Sequence, residues 1–423
     1  MSRACQAHGA NMVYTRGMKT RRICLTLIAL WLLAPACGTS NETQGEYYSD
    51  TETIGGDAEG VPSSGDSERP TRDQQSDASA IVDVERNDAP LRPDLAWDVT
   101  SDGPYEAGHR RLETSYFSQS TGAERTISFE VWYPTEDSEG ESVFYAEIFA
   151  DENVLGEAAL AAPVAGDTYP LHVHSHGNLG YAGSSPYVMR HFATHGWVVV
   201  APAHKGNTII DNISPRPVWM YTVRAEDVSA TLDALAALPE SDPLFGKLDT
   251  EQALLSGHSY GAYTTFGLTG ASFNPERVAE LCPEGEESEC SDAVEAFFAE
   301  GLRDERFVGS IPMAPGSYDM YAEGLGDVAI PTMHMTGSDD RPEANVDIWA
   351  ALPAPSYRVH VEGGCHQLFA LGGCELIDDD PGLMIINAYA LAFGRHVLLE
   401  DESVAALLDG SDVLDPAVTF LSK

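Results

Sequence analysis

The sequence predicts an α/β fold, with a mainly parallel central sheet carrying helices on both faces. Three observations carry that reading. From about residue 95 onward, runs of strand-forming residues alternate with helical patterns. Some runs, such as 197–204 (WVVVAPAH), are apolar throughout, as expected of strands buried on both faces. At 253–265 (ALLSGHSYGAYTT) a strand passes into a helix through a tight glycine turn.

The elements follow in order. Residues 124–135 (ERTISFEVWYPT) alternate like a half-buried strand, and 169–177 (YPLHVHSHG) form a strand ending in a turn. Residues 185–196 (SPYVMRHFATHG) have helical spacing and stop on a glycine. The buried strand 197–204 comes next, then an amphipathic helix at 225–238 (AEDVSATLDALAAL). Strand QALLSGHS and helix YGAYTTFGLTG meet at Ser259. A cysteine-containing excursion fills about 271–304, before what counts as the sixth strand. Residues 307–315, 331–340 and 357–364 read as three further strands, and 381–398 as a closing helix. There is no internal repeat.

The chain has 423 residues, enough for a large core, and a formal net charge of -42. Such acidity argues against partners rich in phosphate, so no nucleic acid or anionic membrane surface is expected. The N-terminal stretch accounts for residues 1–37. From Met18, the expected start, Lys19, Arg21 and Arg22 precede a short apolar run that ends at Ala34-Pro35-Ala36-Cys37. The run suits a signal peptide and is too short to span a bilayer. The small residues before Cys37 resemble a bacterial lipobox, which implies lipidation of Cys37 and an exported, envelope-anchored or secreted protein. No other apolar run reads as long enough to cross a membrane. Residues 38–94 are rich in Ser, Thr, Gly, Asp and Glu without apolar periodicity, and read as a disordered acidic linker. Residues 95–423 are then expected to form the folded domain that carries any chemistry. Four cysteines remain in it as two close pairs, Cys282 with Cys290 and Cys365 with Cys374, which in an exported chain predict two local disulfides.

The chemistry centres on Gly257-His258-Ser259-Tyr260-Gly261. A serine on a strand-to-helix turn, flanked by glycines, is a candidate nucleophile. It needs a base, and the base an orienting acid, in the chain order Ser, acid, His. The histidines after Ser259 are His334, His360, His366 and His396. Only His366, in VEGGCHQLFA, falls in a loop after the last strand of this set, so it is the expected base. The acid is expected in HMTGSDDRPE: Asp340 by its offset from the glycine, with Asp339 and Asp319 as alternatives. The turn after HSHG and the residue after the candidate nucleophile nominate the backbone N–H groups of Asn178, with Leu179 as the alternative, and of Tyr260 as oxyanion donors. His172, His174 and His176 share a strand face, which can build a metal site. No carboxylate or cysteine cluster accompanies them, and neither metal nor cofactor is expected.

Together, HSHGNLGYAGSSPYVMRHFATHGWVVVAPAHKGN, GHSYGAYTT, MTGSDD and GGCHQLF resemble the α/β-hydrolase superfamily. The likeness is to the dienelactone-hydrolase-like and platelet-activating-factor-acetylhydrolase-like esterases, with cutinases and polyesterases as neighbours. It covers about 100–400 and implies an α/β-hydrolase fold and ester hydrolysis through an acyl-enzyme on a Ser-His-Asp triad. Two departures matter. Dienelactone hydrolases proper use a cysteine nucleophile. The acetylhydrolases carry their acid where this chain has Met313-Ala314-Pro315. The excursion lies where this superfamily often carries a lid, and is expected to shape the substrate pocket. The expected partner is a small or polymeric ester. The competing readings are a non-catalytic surface protein that uses the fold for binding, and a peptidase or acyltransferase on the same triad. A monomer is favoured.

Overall fold

A computed structural model describes residues 97–164, 166–285 and 289–423, all inside one compact unit, Glu85–Lys423. Cys37, the signal segment and the acidic linker lie outside the described residues. The chain opens with a long hairpin, β1 (Glu106–Ser118) and β2 (Ala123–Thr135), paired along its whole length. A second hairpin, β3 (Glu141–Tyr145) and β4 (Phe149–Gly156), joins the sheet through a short parallel pairing of β4 with β1. There follow β5 (Tyr169–Ser175), α1 (Pro186–Thr194), β6 (Val198–Pro202), α2 (Met220–Ala236), β7 (Leu248–His258) and α3 (Tyr260–Leu268). The excursion contains α4 (Pro275–Leu281) and α5 (Asp292–Glu300). Then come β8 (Phe307–Met313), β9 (Thr332–Asp339), α6 (Pro342–Ala351), β10 (Ser356–Cys365), α7 (Asp379–Leu399), α8 (Ala405–Leu408) and β11 (Val418–Ser422).

All eleven strands form one mixed sheet in the order β11-β10-β9-β8-β7-β5-β6-β2-β1-β4-β3. Strands β5 to β10 run parallel, and β2 and β11 are antiparallel to their parallel-strand neighbours. Every residue of β5 and β6 is buried: β6 is an unbroken apolar run, and the polar His172, His174 and Ser175 of β5 find buried hydrogen-bond partners. Two cores sandwich the sheet. On one face α1 and α7 pack through Met189, Phe192, Ile386 and Tyr389. On the other, α2, α3 and α6 pack through Val223, Leu232, Phe266 and Ile348. The helix after β5 therefore covers one face and the helix after β7 the other. The adjacent carboxyl ends of β5 and β7 flank a crevice, the topological switch point at which α/β sheets bind ligands.

Several elements lie outside the sequence reading: β1, β3, β4, α6, α8 and β11. Strand β1 alternates buried with exposed positions only weakly and carries His109, Arg110 and Arg111, so no apolar period marks it. Helix α2 starts five residues before the expected 225; its N-cap, Trp219, makes no side-chain capping bond, so the local letters carry no start signal. The excursion precedes β8, the eighth strand in chain order; it is the sixth only if the β3–β4 hairpin is set aside. Helix α7 is also long and apolar enough to cross a membrane, contrary to the expectation of no such run outside the N-terminus. Most of it is buried in the core, against α1 and the sheet.

Candidate active site

Ser259 sits between β7 and α3 with φ 55° and ψ -113°, a strained backbone that lifts its side chain out of the strand. The flanking glycines make this turn sterically feasible. A Cβ on Gly257 would meet the Gly261 carbonyl oxygen at 2.3 Å, and one on Gly261 would meet the Ser175 carbonyl oxygen at 1.8 Å. Both distances are far inside van der Waals contact.

His366 follows β10. Its Nε2 lies 2.9 Å from Ser259 Oγ, and its Nδ1 lies 3.0 Å from Asp340 Oδ2. With the hydroxyl donating to Nε2 and Nδ1–H donating to the carboxylate, the imidazole is in the tautomer a general base needs. Asp340 is buried just past β9, and Asn345 Nδ2 donates to its backbone carbonyl at 2.6 Å. The neighbouring Asp339 is exposed at the strand end. Asp319 is half-exposed and paired with Arg277 at 2.9 Å. Of the three candidate acids, only Asp340 meets His366, because adjacent side chains leave a strand end in opposite directions.

His366 is held on both sides. His258 Nε2 donates to the His366 carbonyl at 3.0 Å, and the two rings lie 4.7 Å apart. Burial, with His366 alongside, pushes the His258 imidazole down to about 3, so it stays neutral near pH 7. The Cys365–Cys374 disulfide closes the loop that carries His366. Inside that loop, the Gln367 carbonyl accepts from the N–H groups of Ala370, Leu371 and Gly372. The second disulfide, Cys282–Cys290, links the end of α4 to the residue before the cap of α5.

Opposite Ser259 lies the turn after β5. Gly177 approaches so closely that a Cβ there would stand 3.0 Å from His258 Nδ1 and 3.4 Å from Ser259 Cβ. Its carbonyl accepts from His176 Nδ1 at 2.7 Å and from the Gly180 N–H at 3.1 Å. A trans peptide points its N–H opposite its carbonyl, so the Asn178 N–H faces away from those bonds. Tyr260 is the first residue of α3, so its N–H has no intrahelical acceptor. Its side chain turns inward and donates to the Met220 carbonyl at 3.2 Å.

These groups surround a cleft of about 200 Å³. Phe149, Leu179, Ile209, Ala370 and Leu371 form its apolar wall, with Asn178, Tyr181 and Gln367 as polar members. Apart from His258 and His366, its lining carries no ionisable group but Tyr181, whose hydroxyl burial raises to about 12. Phe149 and Ile209 come from segments with no readable motif, so their role in the wall was invisible in the sequence. Larger cavities lie elsewhere, among them one of about 370 Å³ beside Tyr181 and Lys205 and one of about 670 Å³ under the excursion. Neither contains Ser259 or His366. Contrary to expectation, no described residue of the excursion lines the Ser259 cleft; the excursion instead walls the 670 Å³ cavity with Val278, Cys282 and Phe298.

The three histidines of β5 have other partners. His172 and His174 both meet Ser256 Oγ, at 2.6 and 2.8 Å, and His176 lies against His204 with ring centroids 4.8 Å apart. No group of His, Cys, Asp and Glu suited to a metal ion occurs among the described residues.

The chain matches no protein-family model and no curated protein at a significant level. What it can do must therefore be argued from this geometry.

Proposed function

We propose that the chain is a serine ester hydrolase of the α/β-hydrolase fold, acting without metal or cofactor. One observation carries the reading: a strained serine at the switch point, 2.9 Å from a histidine whose other nitrogen rests on a buried carboxylate. Ser259 Oγ attacks the ester carbonyl carbon, and its proton passes to His366 Nε2. Asp340 holds the imidazolium that forms. The N–H groups of Asn178 and Tyr260 face the oxyanion of the tetrahedral intermediate. As the intermediate collapses, the carbon–oxygen bond to the alcohol breaks and His366 returns the proton to the leaving oxygen. Water, deprotonated by the same imidazole, then attacks the acyl-enzyme, releasing the acid and restoring the Ser259 hydroxyl.

The cleft supports an uncharged substrate, because apolar side chains dominate its wall and no carboxylate, lysine or arginine lines it. Leu179, Ile209 and Leu371 are 44%, 50% and 58% exposed at its mouth, and would meet an apolar acyl or polymer chain. Two disulfides suit an oxidising compartment, in keeping with export and a lipid anchor at Cys37.

Ser259→Ala is expected to cut hydrolysis of p-nitrophenyl acetate and butyrate by roughly 10⁴-fold or more, with the melting temperature unchanged. A fluorophosphonate probe should label the native chain and spare the variant. Retained turnover, or a native chain that neither labels nor hydrolyses esters, overturns the proposal.

A further inference from the structure

Beneath the Gly177–Asn178 turn lies a buried polar network whose hydrogen bonds have forced directions. Arg224 is fully buried, and no carboxylate receives a hydrogen bond from it. Its guanidinium donates to Asn207 Oδ1 at 2.7 Å, to Ser175 Oγ at 3.1 Å and to the His176 carbonyl. Arginine only donates, so the Asn207 atom facing it is the oxygen, and the Asn207 amide nitrogen is left to donate onward. It does so to Asn178 Oδ1, at 2.8 Å. The carboxylate fixes Ser175 in the same way. Asp227 only accepts, so His204 Nδ1–H donates to it at 3.0 Å, and the unprotonated Nε2 accepts from the Ser175 hydroxyl at 2.9 Å. The His204 backbone N–H donates to His176 Nε2 at 3.1 Å, which leaves Nδ1–H of His176 for the Gly177 carbonyl.

The guanidinium also lies 4.7 Å from the centroid of the Tyr260 ring. One side chain thus touches both halves of the pair assigned above to the oxyanion: the turn bearing the Asn178 N–H, and the residue bearing the other N–H. Burying an arginine without a paired carboxylate is costly. Burial does pull its pKa down, to about 10, yet it remains charged at neutral pH. Packing alone would be served as well by an apolar side chain. The bonds it makes instead lead to the turn.

We propose that Arg224, acting through Asn207, is the positioning element of the oxyanion hole, locking the Gly177–Asn178 peptide and Tyr260 into one frame. This rests on the hydrolase reading for its catalytic consequence, though not for the link itself. Both residues act through the turn and touch no substrate. Misplacement of a transition-state donor by about 1 Å costs on the order of 10²-fold in rate.

Asn207→Asp is the discriminating variant. The carboxylate still accepts from Arg224, and gains an ion pair, but it cannot donate to Asn178 and repels its oxygen. We expect an unchanged or raised melting temperature and faster backbone amide exchange in the peptide covering 176–181. With p-nitrophenyl butyrate, kcat should fall by roughly 10- to 100-fold while KM moves less than about twofold. Affinity for phenylboronate, which forms a tetrahedral adduct, should weaken by a similar factor. Asn178→Ala and Asn207→Ala should each slow the reaction, and the double variant should lose no more than the worse single, because they cut the same link. Native exchange over 176–181 in Asn207→Asp, or a rate lost only in proportion to unfolded protein, overturns the proposal. If the native chain hydrolyses no ester, the hydrolase reading falls while amide exchange still decides whether the link holds the turn.

Discussion

The protein contains two Ser–His–Asp relays with nearly the same hydrogen-bond lengths. In Ser259–His366–Asp340 the two links are 2.9 and 3.0 Å; in Ser175–His204–Asp227 they are also 2.9 and 3.0 Å. Everything around them differs. Ser259 has a left-handed backbone at a turn and faces a cleft, and its histidine side chain is 25% exposed. Ser175 is the buried last residue of a regular strand, and His204 and Asp227 are wholly buried. Ser175 also accepts from Arg224, while Asp227 receives both Arg125 and Tyr116, at 2.7 Å each. The lesson is that the relay is a hydrogen-bond pattern; on the proposed reading, access and a facing pair of N–H donors would turn it into chemistry. Enclosed and saturated, the same three side chains become a brace.

Matched substitutions would break or sharpen that contrast. Asp340→Asn is expected to lower kcat by roughly 10⁴-fold, leaving the histidine in the wrong tautomer, with little change in stability. Asp227→Asn should do the reverse. It leaves Arg125 buried without its carboxylate, at a cost on the order of 3–5 kcal/mol in urea unfolding. Variants that shift activity and stability together at both positions would erase the distinction.

A second contrast concerns protons. Burial pushes His172, His174 and His334 down to about 3, as it does His258, and holds His176 and His204 well below the ordinary value. These rings stay neutral in the folded chain while the unfolded chain protonates them near pH 6.5. Unfolding at pH 5 to 6 therefore takes up protons. Stability is full above about pH 6.5 and falls as pH drops toward 3, each ring adding about 1.4 kcal/mol per pH unit. Urea unfolding between pH 7.5 and 5 reads the slope, and a flat profile would mean the histidines titrate normally.

The smallest effect expected is at the disulfide of the base loop. Cys365→Ser should lower the melting temperature by several degrees, corresponding to about 2–3 kcal/mol for a short closed loop. It should slow hydrolysis only modestly, because the His258 bond to the His366 carbonyl still holds the base. Loss of activity comparable to Asp340→Asn would place the main restraint in the disulfide instead.

Legibility in the sequence followed the same division. Ser259, His366 and Asp340 stand at element ends, where glycines and chain order mark them, and both cysteine pairs were readable from proximity alone. The sheet's buried strands were readable as apolar runs. The brace was not. Arg224, Asn207, His204 and Asp227 come from a loop and a helix with no spacing rule among them, and only the fold brings them under Asn178. Phe149 was hidden for another reason: the β3–β4 hairpin is short, lies at a sheet edge and carries no clean alternation.

That hairpin has a consequence of its own. It sits at the sheet's far edge, four strands from β5, yet its Phe149 stacks on Tyr181 at 4.5 Å and walls the cleft. Val143, Tyr145 and Val154 anchor the hairpin in the core, so only its tip around Phe149 is free to vary. If the chain is the ester hydrolase proposed above, exchanging that tip would re-tailor which esters fit while the six parallel strands, the elbow and the brace kept their places. Substrate range would then drift through one peripheral turn, independently of the serine, the histidine and the aspartate.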